Sequence, residues 1–264
     1  MTTVLPYQIV QAPEPRGRRY GIFIAANGPN TLPPHARAGG ITYEPVSCGY
    51  SRIFDAVCHT DQPAQSKISD EDEDWITADP FVVYATLLCG PVGHTEEEFS
   101  TKVQRRLANG EQTSVEAAMA AILLAGAVPV TPPGITLTDT VGELEQWLYG
   151  IQPADQGYGN VGCLHASPRI SAYAMNEDLI VQDGPLLRTR MGTVWSFGGG
   201  YPDDGTIYIS GQPTFWQSSD VFVSPPSQVF HQESNQYHMI AEREYAVAYD
   251  CLAASATFNW GITT

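Results

Sequence analysis

Lysine is scarce in this 264-residue chain, which contains only Lys67 and Lys102. Thirteen basic residues stand against 29 acidic ones, and the formal net charge is −16. Proteins bind nucleic acid largely through contacts of Lys and Arg with the phosphates. An acidic chain of this kind is therefore expected to bind nucleic acid poorly. It could still lie beside nucleic acid without adhering to it. Chemistry that depends on a lysine amine also has few candidates.

The sequence also shows no CxxC pair and no apolar run long enough to predict a membrane span. The longest apolar run, near residues 117–130, is shorter than the ~20 residues of a membrane-spanning helix. The chain opens without a basic segment followed by an apolar one, so no signal peptide is expected. The cysteines are odd in number, irregularly spaced and never in a CxxC pair, which argues against a zinc ribbon or a thioredoxin site. They are Cys48, Cys58, Cys89, Cys163 and Cys251. We therefore expect a soluble, cytosolic protein with reduced, buried thiols and no membrane partner.

One motif suggests a nucleotide cofactor, namely Gly157-x-Gly159-x-x-Gly162. A dinucleotide fingerprint needs a hydrophobic strand before it and a helix directly after it. Here the preceding residues 150–156 are loop-like, and the following residues 163–166 read as a strand that leads into a helix at Pro168. Because that order is wrong for the cofactor fold, we interpret these glycines as turns and close backbone approaches. A nucleotide-binding enzyme that uses Gly157–Gly162 is kept as an alternative.

A nucleophilic pair is a second candidate site. Cys163 and His165 are two residues apart, so on a strand they share a face and could meet. A third residue that would orient them is not evident, and buried free cysteine is common. The sequence also contains no Gly-x-Ser-x-Gly, Walker A or HExxH motif. We expect both residues to belong to the core and the protein not to be an enzyme.

The remaining polar groups suggest structure rather than a site. Asp203 and Asp204 belong to a Pro-Asp-Asp-Gly turn. Glu242 and Glu244 flank Arg243, and charge pairing between these neighbours is the simplest interpretation. Scattered histidines give no metal cluster; they are His59, His94, His231 and His238. We assign no catalytic, cofactor-binding or metal-binding residue and expect no cofactor.

The first hundred residues are rich in turns and uneven in charge. Residues 1–40 are rich in Pro and Gly and hold four arginines against one glutamate, a net charge of +3. Residues 41–100 hold twelve acidic and two basic residues, a net charge of −10, and such opposite charges could steer copies of one chain together. Runs at 52–57 and 81–88 flank the polar segment 61–79, which predicts a long hairpin. Its consecutive acids Asp70–Asp74 predict a solvated tip, with metal binding as the alternative.

Helix signals are clearest in the middle of the chain. Thr95 to Glu98 form a capping box, and Phe99, Val103 and Leu107 follow at helical spacing. We predict a helix over about 95–124, either continuous or with a kink or local break at Gly110. Further helices are expected over 141–149 and over 168–175, the latter with Ser167 as N-cap. Strands are expected over 179–182, 186–190, 193–197, 206–210 and 221–223. A last long run over 238–252 is either a long strand with polar interruptions or a helix-to-strand transition.

Three segments of this chain together resemble a known family. They are GHTEEEFSTKVQRRLANGEQTSVEAAM (93–119), GCLHASPRISAYA with DGPLLRTRMGTVWSFGGGYP (162–174 and 183–202), and AEREYAVAYDCLAASATF (241–258). In this order they resemble the major capsid proteins of tailed bacteriophages with the HK97-type fold, most of all those of phages of actinobacteria. The resemblance touches most of the chain from about residue 40 onward. Each segment alone is weakly specific, whereas their order and spacing are more telling.

The resemblance implies an α+β, HK97-type capsid fold. It implies an N-arm over 1–40, an extended β-hairpin called the E-loop over 41–80, a P-domain over 81–130 and 216–264 with the long spine helix, and an A-domain over 131–215. The implied function is a structural subunit that self-assembles into the icosahedral head and encloses the DNA genome. The resemblance leaves open whether Lys67 forms a covalent crosslink to an Asn of a neighbouring copy, because nothing in the sequence marks that Asn.

The implied partners are further copies of the chain, in pentamers and hexamers of a closed shell. Portal, scaffolding and decoration proteins and non-specifically packaged double-stranded DNA are further implied partners. The implied location is the virion, after assembly in the bacterial host cytoplasm. An encapsulin-like nanocompartment shell of the same fold is the alternative nearest in function. An absence of catalytic motifs fits both, since a shell protein works through contact area rather than chemistry.

Overall fold

The structure, a computed structural model, describes residues 17–45, 75–89, 95–150, 157–224, 230, 231, 233 and 236–259. Five helices are α1 (Ile22–Ala25), α2 (Ala36–Gly39), α3 (Glu96–Gly126), α4 (Leu137–Tyr149) and α5 (Pro168–Asn176). The first strands are β1 (Asn27–Thr31), β2 (Ile41–Tyr43), β3 (Ile76–Ala78), β4 (Pro80–Cys89), β5 (Val128–Pro129), β6 (Cys163–Ala166), β7 (Val181–Asp183) and β8 (Leu186–Arg188). The others are β9 (Val194–Phe197), β10 (Thr206–Ser210), β11 (Pro213–Gln217), β12 (Phe222–Val223), β13 (Phe230–His231), β14 (Gln236–Tyr249) and β15 (Ala253–Thr257).

Two large sheets and one small one organise the strands. The first sheet is built around β14, which pairs with β4 along one side and with β11, β12 and β13 along the other, while β1 pairs with β11. The second sheet has the order β5-β15-β10-β6-β9-β8-β7. Among the described strands, β2 and β3 pair with each other and with no other strand. This mixture of helices with largely antiparallel sheets is the α+β class that the sequence predicts.

Helix α3 begins where the sequence predicts, and the capping box is present. The Glu98 N–H donates to Thr95 Oγ1 over 3.3 Å, and the Thr95 N–H donates to Glu98 Oε2 over 3.2 Å. Phe99, Val103 and Leu107 are all buried against the first sheet. Of the two alternatives at Gly110, the structure has the continuous helix, which runs through this residue for 31 residues, about 46 Å.

Gly110 gives a direct test of this continuity. An added Cβ at Gly110 would meet nothing within 4 Å, so the replacement Gly110→Ala needs no repacking. Glycine inside a helix costs more backbone entropy than alanine, and we expect Gly110→Ala to raise the unfolding free energy by about 0.5–1 kcal/mol. Denaturant unfolding of both proteins measures this, and a loss of stability would contradict an unbroken helix at this point.

Two further helices differ slightly from their predictions. Helix α4 begins four residues earlier than expected, because Thr136 and Asp139 form its capping box. Ser167 is the N-cap residue of α5, as predicted, but its side chain makes no capping bond, and its hydroxyl donates to Asp203 over 3.1 Å. Both helices cover one face of the second sheet, where Leu144, Ile170 and Trp195 are fully buried.

The predicted run 81–88 is a strand, β4, which pairs antiparallel with β14 from Tyr237 to Ala246. The other predicted arm of the hairpin, 52–57, lies outside the described residues, so their pairing stays a prediction. The pairing β2–β3 brings residue 43 next to residue 76, and the intervening predicted hairpin, including Asp70–Asp74 and Lys67, lies outside the described residues. The long run 238–252 is a strand that ends at Tyr249, and the chain then enters the second sheet as β15.

The described part of the predicted arm packs into the subunit itself, although residues 1–40 are rich in Pro and Gly. Ile22 and Leu32 are each 1% exposed. Strand β1 pairs parallel with β11, and the Phe197 N–H donates to the Tyr20 carbonyl over 2.8 Å. Pattern and composition could not show this, since it depends on long-range contacts with residues near 197 and 215.

The cysteines only partly follow the expectation of free thiols. Cys163 is free and buried, as expected. Cys251 is disulfide-bonded, so the expectation is wrong at that position. A cysteine's oxidation state in a fold depends on which residues the tertiary structure brings next to it, and spacing along the chain does not reveal that.

Candidate assembly surface

The two faces of the first sheet differ sharply. Along β4, Val83 and Leu87 point inward and are 6% exposed, packed with helix α3. The alternate residues Val82, Tyr84 and Leu88 point outward and are 51%, 66% and 60% exposed. Because side chains alternate along a strand, one face is a packed core and the other is an uncovered apolar row.

Neighbouring strands extend this apolar row. Tyr84 lies opposite Glu242 on β14, and Glu242 lies opposite Phe222 on β12, so the three side chains share the outward face. Phe222 is 56% exposed. We call the set Val82, Tyr84, Leu88 and Phe222 the outer face. Several large exposed apolar side chains on one face of a sheet often mark a site of protein association.

The side of the first sheet that carries the outer face is covered at one end of β14 and uncovered at the other. Ala246 and Ala248 are buried beneath Leu32, Ala36 and Ala78, which form a small third core. No comparable cover lies over positions 238–242 within the described part of the chain. The arm reaches the apolar row only at its Val82 end, where Arg37 pairs with Glu244 opposite Val82.

Strand β4 also presents a free edge. Among the described residues it pairs with β14 alone, over ten residues. The Thr86 carbonyl accepts a hydrogen bond from Arg106 Nη1 over 2.9 Å. A long edge strand with an apolar face is an aggregation hazard in a monomer, and proteins normally cover or pair it.

The charges on β14 are arranged differently from the prediction. Arg243 does not pair with its sequence neighbours, because alternation places it on the opposite face from Glu242 and Glu244. It bonds Glu111 of α3 over 3.1 Å, and Glu111 also accepts from the Tyr245 hydroxyl over 2.9 Å. Glu244 pairs with Arg37 over 3.0 Å. These ion pairs fasten α3 to the sheet on one side and the arm on the other.

The glycine motif takes part in close packing. A Cβ at Gly157 would lie 2.2 Å from the backbone of Tyr149, and one at Gly162 would lie 2.3 Å from Leu148. The Gly162 N–H is held by the Tyr149 hydroxyl over 3.0 Å. After this loop the chain forms strand β6 and only then helix α5. The order of loop, strand and helix is the one that the sequence predicts. The short distances at Gly157 and Gly162 fit close packing of the backbone rather than a phosphate-binding loop.

The pair Cys163 and His165 lies in the core. His165 is 0% exposed; its Nδ1 contacts the Tyr201 hydroxyl at 3.0 Å and its Nε2 contacts Ser210 Oγ at 2.9 Å. Desolvation by burial lowers the pKa of His165 to about 3 and raises the pKa of the Cys163 thiol. His165 is therefore a neutral imidazole whose two nitrogens are both engaged, and the Cys163 thiol stays protonated. His165 links β6 to Ser210 of β10 and to Tyr201, and this pair is unsuited to nucleophilic attack.

Other candidate residues make structural contacts. Residues 203–205 form a bend as predicted, and Asp203 pairs with Arg169 over 2.7 Å. His238 of β14 lies opposite Leu88 of β4. His59 and His94 lie outside the described residues, as does the side chain of His231. Within the described ranges, no group of His, Cys, Asp and Glu could hold a metal ion. None of the helices described here is both long and apolar enough to cross a membrane.

Sequence reasoning missed a polar junction between α3, the arm and the second sheet. Glu116 is 0% exposed and accepts hydrogen bonds from Gln112 Nε2 over 2.8 Å and from the Gly200 N–H over 3.3 Å. Two features of the sequence point to this junction: Glu116 is a charged residue within the apolar stripe of a helix, and Gly198–Gly200 is a run of glycines. The sequence does not show that the two meet, because 84 positions separate Glu116 from Gly200.

Comparison with known proteins identifies the architecture. No family model matches the chain, and no curated protein is similar to it in sequence. Solved structures do match. The capsid of a native GTA particle computed with C5 symmetry has a TM-score of 0.61 at 11% identity, over 97% of this chain and 95% of that chain. A structure from Microbacterium phage Oxtober96 has a TM-score of 0.55 at 11% identity, over 96% of both chains.

A third match points the same way. The mature capsid of bacteriophage PhiM1 has a TM-score of 0.51 at 11% identity, over 96% of this chain and 92% of that chain. These likenesses run through nearly the whole of each chain, so they describe the complete fold and not one shared motif. The chain therefore has the HK97-type fold of tailed-phage capsid proteins, and the resemblance drawn from its sequence is confirmed at the level of the fold.

Proposed function

We propose that this chain is a structural subunit that self-assembles into the icosahedral head of a tailed bacteriophage and encloses the DNA genome. The observation that carries the proposal is a capsid fold matched over 96–97% of the chain, together with a row of apolar side chains that the described residues leave exposed on one sheet face. Fold alone does not fix function. The uncovered outer face adds a physical reason for association, because its apolar area is exposed until another copy covers it.

The charge of the chain suits a container for DNA. Its net charge of −16 disfavours tight binding of phosphates, so DNA can be enclosed without being held to the wall. Packaged DNA would then be a non-specific content. Portal, scaffolding and decoration proteins are further proposed partners, and the proposed setting is assembly in the bacterial host cytoplasm into a virion.

Each predicted region has a proposed role in the shell. Residues 1–40 would be the N-arm, 41–80 the E-loop, 81–130 and 216–264 the P-domain, and 131–215 the A-domain near the centres of pentamers and hexamers. The sheets suggest one refinement of these boundaries. Strand β15 pairs with β10 and β5 in the second sheet, and Ala254, Ala256 and Phe258 pack in its core. We propose that residues 253–258 belong structurally with the A-domain sheet.

Electron microscopy of the purified full-length chain tests the proposal. We expect closed shells of uniform size in negative stain, because pentamers and hexamers of one chain close on themselves. A protein that stays monomeric at micromolar concentration would contradict it. Particles from the native source should contain nuclease-resistant DNA. A protein cargo in place of DNA would favour the encapsulin-like alternative.

A further inference from the structure

A buried carboxylate lies where three separate parts of the chain meet. Glu116 projects from the middle of α3 and is 0% exposed. Its oxygens accept from Gln112 on the same helix, from the Gly200 N–H of the loop after β9, and from the Ile22 N–H at the start of α1. Both backbone donors come from outside the helix. One side chain thus fastens the arm and the loop Gly198–Gly200 to α3.

The glycines around Glu116 make the close approach possible. A Cβ at Gly198 would lie 2.0 Å from the Glu116 carboxyl carbon, and a Cβ at Gly21 would lie 2.4 Å from Glu116 Oε1. At Gly200 it would lie 2.3 Å from the Thr113 carbonyl oxygen. The backbones of the arm and of the loop therefore pack directly on the helix.

The charged and titratable groups that face Glu116 are few. Arg18 of the arm contributes a positive charge, and its Nη2 donates to Thr113 Oγ1 one turn before Glu116. Tyr201 follows the glycine loop and interacts electrostatically with Glu116. Desolvation by burial raises the pKa of Glu116, and the hydrogen bonds and Arg18 oppose this increase only in part. Burial therefore favours the protonated carboxyl while the junction is closed.

We propose that Glu116 is a proton-controlled latch that holds the arm segment 17–26 and the loop Gly198–Gly200 on helix α3. When the arm leaves the helix, Glu116 gains access to water and its ionised form becomes more favourable. The closed junction binds the proton more tightly than the open one. By linkage, lowering the pH through the pKa of the closed state stabilises the latch, and raising the pH loosens it. The latch is a property of the subunit and does not depend on the proposed shell.

Hydrogen exchange of the full-length chain at a series of pH values tests the latch. Protection factors, corrected for the intrinsic pH dependence of exchange, are followed for peptides that cover residues 17–26 and 198–200. We expect the opening equilibrium of both peptides to rise with pH, by about tenfold for each unit by which the closed-state pKa exceeds that of an exposed Glu. A peptide from α4 gives the reference for global opening. Equal protection at all pH values would overturn the proposal.

Three variants separate the latch from general charge effects. Glu116→Gln is permanently neutral, so the pH dependence of both peptides should disappear. Glu97→Gln removes the same charge from an exposed position on α3 and should leave that dependence unchanged. Arg18→Gln removes the positive charge that lowers the pKa of Glu116, so the transition should move to higher pH. If Glu116→Gln does not fold, the pH of the exchange transition in Arg18→Gln is the deciding measurement. The proposal is overturned if that transition stays at the wild-type pH, or if Glu116→Gln keeps the pH dependence of the wild type.

Discussion

Replacing Tyr84 with lysine is expected to abolish particle formation while leaving the subunit folded. Tyr84 is central in the outer face and 66% exposed in the isolated chain, so its replacement removes no packing from the subunit core. The new lysine would lie opposite Glu242, where an ion pair supports the sheet. In an assembled contact the same lysine would be buried against apolar groups of a neighbour. Losing a central aromatic contact costs about 2–4 kcal/mol per interface, and a shell repeats that loss at every copy.

Two control variants make this result interpretable. Tyr84→Phe keeps the apolar ring and should assemble like the wild type. Gln104→Lys adds the same charge on an exposed part of α3, away from the outer face, and should also assemble. Circular dichroism and thermal unfolding establish that each variant is folded, and electron microscopy with sedimentation counts the particles. If Tyr84→Lys assembles as well as the wild type, the outer face is not an assembly contact.

Gly200→Ala is expected to cause the largest loss of subunit stability among single-methyl additions at the junction. A Cβ at this position would lie 2.3 Å from the Thr113 carbonyl oxygen and 2.4 Å from the Ala117 nitrogen. Both atoms belong to the backbone of α3, so no side-chain rotation can make space. Either the helix or the loop must move, which also breaks the bond from Gly200 to Glu116. We expect the unfolding free energy to fall by about 3 kcal/mol, the upper end of the range for overpacked sites.

The adjacent glycine provides the matched control. A Cβ at Gly199 would lie 3.2 Å from Arg18 Nη1, the end of a flexible, exposed side chain that can swing away. Gly199→Ala should therefore change the unfolding free energy by less than about 1 kcal/mol. Denaturant unfolding of the two variants measures the difference. Equal effects would mean that the loop does not pack on α3 as closely as the structure has it.

Features that depend on local sequence could be predicted. The capping box from Thr95 to Glu98 determines where α3 begins, and it involves only residues three apart. Strand β10 matches its predicted range, Thr206–Ser210, because its apolar run is bounded by turn residues on both sides. The glycines at 157 and 162 were correctly taken as sites of close approach, since the order of neighbouring elements excluded a cofactor loop.

Features that depend on distant residues could not be predicted. Strand β4 resembles one arm of a local hairpin, yet its partner β14 lies about 150 residues further along the chain. The arm reads as an unsupported tail, yet Ile22 and Leu32 are buried by residues near 215 and 246. The ion pair between Glu111 and Arg243 spans 132 positions. A pattern of apolar and polar residues tells which face is buried, and it does not tell which element buries it.

The most direct test of the proposed function is a cryo-electron microscopy reconstruction of particles formed by the purified chain. We predict a closed shell with fivefold and sixfold clusters of subunits, in which a neighbouring copy covers Val82, Tyr84 and Leu88. A shell in which these side chains face solvent would contradict the assembly surface. A protein that forms no closed particle at all would contradict the capsid function itself.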